Sequence, residues 1–344
     1  MRVRLKEVAQ EAGVSMMTVS NVINGNHARV SPETAERVRQ IAYRLGYVPS
    51  APARSLAARS SRLIGFLVPA ASGESLAISP HTMVTGAVIE REFRKHDYHV
   101  ILRGISQLDE VSEALQTWNL DGAILLGFVD EDIDQLRSPV VENVPIVAID
   151  SYSTNSLTTG VRSDDFEGAR LATEHLLDLG HTCVAFASPR FTEVGLVRNR
   201  FEGYRRAFTD AGVDWNDRLV VEVDTTQPAG RELGHRLHRD HPHVTAVFAT
   251  ADILAIGIVA GLLEAHVSVP DDVSVTGFDN LDIAEYVTPK LTTVSQDIDG
   301  KAAAAVRMLL AEIETHEPPP EPVSLAVELI KRDTTASVRR NDRQ

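Results

Sequence analysis

The spacing of apolar residues changes once along the chain, near residue 60. Before that point apolar residues recur every three or four positions, which is typical of amphipathic helices. After it, short apolar runs alternate with stretches of helical spacing, which is the pattern of βαβ units with parallel sheets. The pattern therefore predicts a small all-α head followed by a large α/β body.

The head contains three predicted helices. The first covers Leu5–Ala12 and ends at Gly13, because glycine adopts the left-handed conformation of a tight turn at no steric cost. The second runs over residues 16–24 after the N-cap Ser15, and the third begins after Ser31. A short turn that fixes the second of two helices predicts a helix-turn-helix, which places that helix in the major groove of DNA. A plain two-helix hairpin is the alternative.

The body contains eight predicted strands in two sets, each interleaved with helices. The strands are 63–68, 99–102, 122–126 and 145–149 in the first set, and 183–187, 218–223, 245–249 and 272–278 in the second. The fold class is therefore expected to be α/β, with an all-α helix-turn-helix headpiece and two lobes that are doubly wound parallel sheets.

Charge is divided unevenly between head and body. The chain has 344 residues and a net charge of −14, but residues 1–60 contain nine Lys and Arg against four Asp and Glu. The head is thus net +5 and the remainder −19. A basic head on an acidic body fits a protein that touches a polyanion with one end only. A pair of solvated charged helices would give the same balance.

Cysteine use and the N-terminus indicate a compartment. Cys183 is the only cysteine, so the chain forms no internal disulfide and a reducing compartment is expected. The first ten residues are charged where a signal peptide needs an apolar run, and no stretch approaches 18 apolar residues. We therefore expect a cytoplasmic protein without a membrane partner.

Polar residues stand at the carboxyl ends of several predicted strands, where open α/β sheets bind ligands. These residues are Asp150, Arg200, Asp252 and Asp279. Asp150 and Asp279 favour a ligand contact, since an aspartate at a buried strand end needs a partner. Asp252 is expected to be an N-cap instead. Arg200 either contacts the ligand or pairs with one of the two aspartates.

The sequence carries no pattern typical of an enzyme. It contains no Ser-His-Asp set, no phosphate-binding loop and no GxGxxG after a strand. A metal hypothesis rests on His235, His238, His241 and His243, but no acid or thiol has suitable spacing beside them. We therefore expect a binding protein with neither cofactor nor metal.

Several stretches of the sequence resemble one known family. VRLKEVAQEAGVSMMTVSNVINGN and VSPETAERVRQIAYRLGYVPSAPARSLAARSSRLIGFLVP resemble the start of LacI/GalR-family transcriptional regulators. DGAILL, HLLDLGHTCVAFAS, VSVTGFDN and TPKLTTVSQD resemble the family's periplasmic-binding-protein-like effector domain, from Leu63 to about Arg332. The resemblance implies a DNA-binding repressor controlled by a small molecule. A periplasmic-type solute-binding protein would share the body, but it would carry a signal peptide and no such head.

The resemblance assigns DNA contacts to the head and to a hinge. Met16 and Met17 fall where the family reads bases, and they depart from the polar residues common there. A thioether can touch a thymine methyl group but forms no bidentate hydrogen bonds. Leu56 falls where the family inserts a leucine between base pairs, although a plain linker is the alternative. The implied DNA-binding residues are Leu5, Ser15, Met16, Met17, Thr18, Ser20, Asn21, Asn24, His27, Arg29, Ala53, Leu56 and Ala57.

The same resemblance implies an effector site between the lobes. Carboxylates that accept hydroxyls and an arginine that donates paired hydrogen bonds suit a sugar-like ligand. His81 lies beside the expected contacts on the first cleft helix, and Gln227 departs from the group that a sugar-binding relative carries, which argues against a galactoside. The implied effector residues are Ser79, Pro80, Met83, Asp150, Arg200, Gln227, Asp279 and Gln296.

The resemblance also sets the expected boundaries. The headpiece covers residues 1–48, the hinge 49–61, the effector-binding and dimerisation domain 62–333, and a flexible tail 334–344. Lobe 1 takes about 62–162 and 293–322, and lobe 2 about 163–291 and 323–333, with crossings near Ser163, Thr292 and Pro322. Because one head reads half a site, a homodimer on a pseudopalindromic double-stranded operator is expected.

Overall fold

The chain forms two compact units, Met1–Leu63 and Ile64–Gln344. The computed structural model describes residues 3–23, 25, 30–48, 60–70, 78–216, 219–315, 317 and 321–338.

The described residues of the first unit form three helices, α1 (Leu5–Ala12), α2 (Met16–Ile23) and α3 (Pro32–Arg44). Gly13 ends α1 with a φ of 65°, in the left-handed region where glycine carries no steric cost. The core of the unit consists of Val8, Ala9, Ala12, Val19, Val22, Ala35, Val38 and Ala42. These small side chains let the helices pack closely, so the sequence pattern yields the expected helix-turn-helix.

The second unit contains two six-stranded sheets. The strands are β1 (Leu63–Pro69), β2 (His99–Ile105), β3 (Gly122–Leu126), β4 (Ile146–Ile149), β5 (Thr159–Ser163), β6 (Val184–Ser188), β7 (Val220–Glu222), β8 (Ala246–Ala249), β9 (Ser274–Asp279), β10 (Thr292–Gln296), β11 (Val323–Leu325) and β12 (Val327–Ile330). The first sheet has the order β11-β5-β4-β3-β1-β2 and the second β12-β10-β9-β8-β6-β7. The central strands pair in parallel, and β12 runs antiparallel to β10.

Helices pack against both sheets and complete the two lobes. They are α4 (Pro80–Arg94), α5 (Asp109–Thr117), α6 (Asp130–Gln135), α7 (Asp165–Asp178), α8 (Leu196–Ala211), α9 (Gln227–Asp240), α10 (Asp252–Glu264), α11 (Ile283–Tyr286) and α12 (Ile298–Thr315). Late in the chain, α12 packs on β3, β4 and β5, so it belongs to the first lobe. α7 and α10 pack on β9 in the second lobe.

Two of the three crossings between the lobes lie at positions other than the expected ones. β10 lies in the second sheet, so the return to the first lobe follows Gln296 and does not occur near Thr292. β11 lies in the first sheet, so the last crossing falls between Leu325 and Val327, after Pro322. β10 and β11 are short and carry polar residues, and therefore lack the apolar runs that mark the other strands.

Residues 334–338 pack against the second lobe, contrary to the expected flexible tail. Thr334 is fully buried, its hydroxyl donates to the carbonyl of Val275 (2.7 Å), and its Oγ1 accepts from the backbone N–H of Thr292 (2.8 Å). The backbone N–H of Val338 donates to the carbonyl of Leu179 (2.9 Å). The polar composition of this segment concealed these backbone bonds.

The contact between α9 and α10 depends on four glycines. A Cβ at Gly230 or Gly234 would lie 2.4 Å from a backbone oxygen of α10. A Cβ at Gly257 or Gly261 would lie 2.3 and 2.0 Å from backbone oxygens of α9. Only glycine therefore permits this separation of the two helices.

Candidate functional site

The outer face of α2 exposes the two methionines expected to read bases. Met16 is 52% and Met17 70% exposed, whereas Val19 and Val22 on the opposite face are buried. Exposed methionines next to a buried apolar face leave their thioethers available to a partner surface. Leu5 differs from the other expected DNA contacts because it packs against the core of the head.

The remaining expected DNA contacts divide into two groups. Ser15 is exposed and accepts a hydrogen bond from the Thr18 N–H (3.0 Å), which caps α2, while Thr18, Ser20 and Asn21 are half-buried. Six expected contacts lie outside the described residues: Asn24, His27, Arg29, Ala53, Leu56 and Ala57.

In the second unit, the carboxyl ends of strands from both sheets meet at one place. Asp150 follows β4 and Ser163 ends β5 in the first sheet, while Asp279 ends β9 and Gln296 ends β10 in the second. Asp150 has a φ of 59° and Asp279 a φ of 130°. Such conformations are unfavourable for residues with a Cβ and are commonly retained at binding sites.

Lys301, on α12, holds this cluster together, and the sequence analysis missed it. Its ammonium donates to Asp150 Oδ1 (2.6 Å), to Ser163 Oγ (3.3 Å) and to Gln296 Oε1, and its side chain is fully buried. Burial alone would raise the pKa of Asp150, but the positive charges of Lys301 and Arg200 hold that pKa below its ordinary value. Asp150 is therefore an ionised acceptor at neutral pH.

Gln296 joins the two lobes through its amide. Its Oε1 accepts from Ser163 Oγ (2.8 Å), and its Nε2 donates to Asp279 Oδ1 (2.6 Å). Burial raises the pKa of Asp279 to about 6. Asp279 is therefore ionised at neutral pH, although burial makes its ionised form costly in free energy. A hydrogen bond donated by a ligand would reduce this cost.

Arg200 pairs with an aspartate that the sequence analysis did not consider. Its Nε and Nη2 each lie 2.8 Å from Asp165 Oδ1, and its Nη1 donates to the carbonyl of Thr250 (2.5 Å). Its guanidinium lies 3.6 Å from the ring centroid of Phe278, where cation and ring attract. Tyr152, from the first lobe, donates its hydroxyl to Asp165 Oδ2 (3.0 Å). The pairing alternative for Arg200 is thus right in kind but wrong in partner.

The start of α4 supplies the remaining expected contacts of the first lobe. Ser79 caps the helix by accepting from the Thr82 N–H (3.1 Å), Pro80 is its first residue, and Met83 is 56% exposed. His81 turns toward the acidic cluster, with its Nε2 3.7 Å from Asp150 Oδ2. The imidazole of His81 therefore lies beside the carboxylate of Asp150.

Two expected roles require correction. Asp252 is not the N-cap of α10, since Ala251 holds that position; its buried carboxylate accepts from the Leu281 N–H (2.9 Å) and from the Thr293 hydroxyl. Gln227 begins α9 with its carbonyl against Gly257, and no hydrogen bond in the described part of the chain joins it to Asp150 or Asp279.

Within the described ranges, no group of three or more His, Cys, Asp or Glu side chains could hold a metal ion. His235 instead contacts Glu264 (2.7 Å), and the rings of His241 and His243 lie 6.4 Å apart. No described helix is both long enough and apolar enough to cross a bilayer.

Known proteins match both units. Residues 4–50 match the family described as bacterial regulatory proteins, lacI family, and residues 173–335 match a periplasmic binding protein-like domain. Catabolite control protein A of Priestia megaterium is 33% identical over 90% of this chain and 92% of its own length. The HTH-type transcriptional repressor PurR of Mannheimia succiniciproducens is 30% identical over 97% of this chain and 99% of its own length. The chain belongs to the lacI family.

Solved structures place this lacI-family chain among DNA-binding repressors. The lac repressor dimer bound to operator and the anti-inducer ONPF superposes with a TM-score of 0.83 at 26% identity, over 98% of this chain and 100% of that one. The CelR–cellobiose complex gives 0.71 at 27% identity, over 97% and 100%. The lacI-family chain is therefore a DNA-binding transcriptional repressor with a helix-turn-helix head and a periplasmic-binding-protein-like body, and not an enzyme.

The sequence contained a signal for Lys301 but none for Asp165 or Tyr152. Lys301 aligns at helical spacing with the buried Ala305 and Leu309, so a lysine in an otherwise apolar stripe was a usable signal. Asp165 and Tyr152 gave no such signal, because each meets its partner only when distant segments fold together.

Proposed function

We propose that this lacI-family repressor acts in the cytoplasm as a homodimer on a pseudopalindromic operator, and that a small sugar-like effector controls its grip on DNA. The observation that carries the proposal is the meeting of Asp150, Asp279 and Gln296 from two sheets at one buried place. Buried, ionised acceptors at strand ends are suited to hydroxyl donors. The cellobiose held by CelR is consistent with this ligand class.

The bonds between the lobes supply the means of control. Ser163 and Lys301 from the first lobe both bind Gln296 of the second, and Tyr152 binds Asp165 in the same way. A ligand that touches Asp150 and Asp279 spans the same gap, so it favours one separation of the lobes over others. A ligand shifts such an equilibrium by its difference in affinity for the two states.

Recognition of DNA by α2 has a distinct expected signature. Met16 and Met17 present apolar thioethers, which favour contact with thymine methyl groups over hydrogen bonds to guanine. Met17→Ala is expected to weaken binding to the preferred operator by about tenfold, and to reduce discrimination at one or two thymine positions in each half-site.

Selection of duplexes from a random pool by the purified full-length chain tests the proposal. We expect a twofold-symmetric motif, one dimer per site, and an affinity that changes when sugars are added at fixed salt. A chain that prefers no sequence over random duplex would contradict the proposed function. Binding of a single subunit to an asymmetric site would contradict the dimer.

A further inference from the structure

The two cationic side chains between the lobes, Lys301 and Arg200, already donate hydrogen bonds to groups of the chain itself. All three N–H donors of the Lys301 ammonium have acceptors, at Asp150, Ser163 and Gln296. Arg200 donates from Nε, Nη1 and Nη2 to Asp165 and to the carbonyl of Thr250. An anionic ligand would have to break these bonds to reach the Lys301 ammonium, and at Arg200 it would compete with Asp165, which already accepts from two of the five N–H donors.

The acceptors of the cleft are less fully used. Among the described residues, the hydrogen bonds of Asp150 and Asp279 involve only Oδ1 of each carboxylate. His81 Nε2 is buried and has no hydrogen-bond partner there. Burial raises the pKa of Asp165 and that of Asp279, so a further negative charge placed beside these two carboxylates would make their ionised forms still more costly.

His81 is a neutral imidazole in this setting. Burial is the largest influence and lowers its pKa; Lys301 and Arg200 lower it too, while Asp279 and Asp150 raise it. A neutral imidazole nitrogen either accepts or donates one hydrogen bond, according to the tautomer. A buried nitrogen without a partner costs free energy that a ligand hydroxyl can recover.

The distance between His81 and Asp150 suits one shared hydroxyl. Nε2 and Oδ2 lie 3.7 Å apart, too far for a direct hydrogen bond. One oxygen can lie about 2.8 Å from both atoms, and it would then accept a hydrogen bond from the Nε2–H of His81 while donating to Asp150. The single proton of a hydroxyl is given to Asp150, so its lone pair accepts from His81, and this position requires the imidazole tautomer that is protonated at Nε2.

We propose that His81 is a specificity-determining residue, which shares one hydroxyl of a neutral, hydroxyl-rich effector with Asp150, and that this cleft rejects carboxylate- and phosphate-bearing analogues. The inference rests on the proposed function, because it assigns the chemistry of the same effector site. On α4, the imidazole of His81 selects the ligand, and the exposed Met83 does not.

Paired probes on the full-length chain test the inference by calorimetric titration at pH 7.5. The neutral probes are D-glucose, D-ribose, cellobiose and xylitol. Their anionic counterparts are glucose 6-phosphate and D-glucuronate for glucose, ribose 5-phosphate for ribose, cellobionate for cellobiose and xylitol 5-phosphate for xylitol. At least one neutral probe is expected to bind, and its anionic counterparts at least about tenfold more weakly. His81→Phe should weaken the neutral probe by about tenfold, and His81→Gln, which keeps a polar group at the same reach, by no more than about threefold. His235→Phe, on the exposed side of α9, is the matched control and should leave the affinity for the neutral probe unchanged.

The outcomes separate this inference from the proposed function. Equal or tighter binding of an anionic probe, unchanged affinity in His81→Phe, or no binding of any neutral probe overturns the inference. Operator binding is measured on the same preparations. A chain that binds an operator but fails the probe comparison remains a repressor without this specificity. A chain that binds a neutral probe through His81 but prefers no duplex keeps the specificity and loses the proposed function. The melting temperatures of the ligand-free variants show whether each is folded.

Discussion

At the scale of single residues, Lys301 matters most because it is a charge with no access to water. Moving an ammonium out of water is costly, and the cost is offset only when its partners are charged or strongly polar. Asp150, Ser163 and Gln296 provide that environment and come from three different strand ends. The lysine therefore fixes the relative positions of two residues expected to contact the effector.

Replacing Lys301 by methionine, which has a similar shape, tests this role. The variant leaves Asp150 buried without its cation, so the free energy of unfolding at pH 7.5 should fall by about 3 kcal/mol. Burial then dominates and raises the pKa of Asp150 above its unfolded value. Ionisation of Asp150 therefore destabilises the variant as pH rises through the raised pKa, and the deficit should shrink as pH falls toward 5.

Urea unfolding at several pH values measures this effect. Lys331→Met, at an exposed position, is the control and should stay within about 0.5 kcal/mol of the parent at every pH. A Lys301→Met deficit that does not depend on pH would mean that lost packing, and not the unpaired aspartate, causes the destabilisation.

At the scale of elements, the pair α9 and α10 is set by backbone contact. α10 is apolar on nearly all sides, so it needs cover from every direction, and the four glycines bring α9 close enough to provide it. The close approach of the two helices explains why glycine, which is usually unfavourable inside a helix, occurs four times at this contact.

Gly261→Ala is expected to destabilise the second lobe by about 3 kcal/mol, because the new Cβ would lie 2.0 Å from the carbonyl oxygen of Arg231. The matched control is Gly300→Ala in α12, where the nearest atom is the movable carboxylate of Asp297 and the cost should be about 1 kcal/mol or less. Thermal unfolding compares the two. Equal melting temperatures would show that the two helices separate at little cost.

Elements also show how far the sequence could be read. The helices of the head and the strands with continuous apolar runs, such as β1 and β3, were predictable because their patterns are local. β5 and β12 were not predictable, because each is short and alternates apolar with polar residues. β12 is an edge strand, and β5 lies next to one. Asp150, Asp279 and Gln296 could be placed at strand ends, but Lys301 and Asp165 join them only through contacts between distant segments.

At the scale of the whole molecule, the end of the chain contributes to the second lobe. A chain that stops after Asp333 loses the buried Thr334 and its hydrogen bonds to β9 and β10, and the expected loss is about 2 to 3 kcal/mol. A chain that stops after Val338 keeps them and should melt with the full-length protein. Differential scanning calorimetry distinguishes the two. Identical melting of both shortened chains would show that this segment contributes nothing.

The threefold passage of the chain between its lobes has a consequence for synthesis. The first sheet is completed by β11, at Val323–Leu325, and is covered by α12, which ends at Thr315. A ribosome must therefore have translated the chain as far as Leu325 before the first lobe can close. Until then the part of the sheet that α12 covers stays exposed to solvent, and chaperones that bind nascent chains must shield this early-made apolar surface for longest.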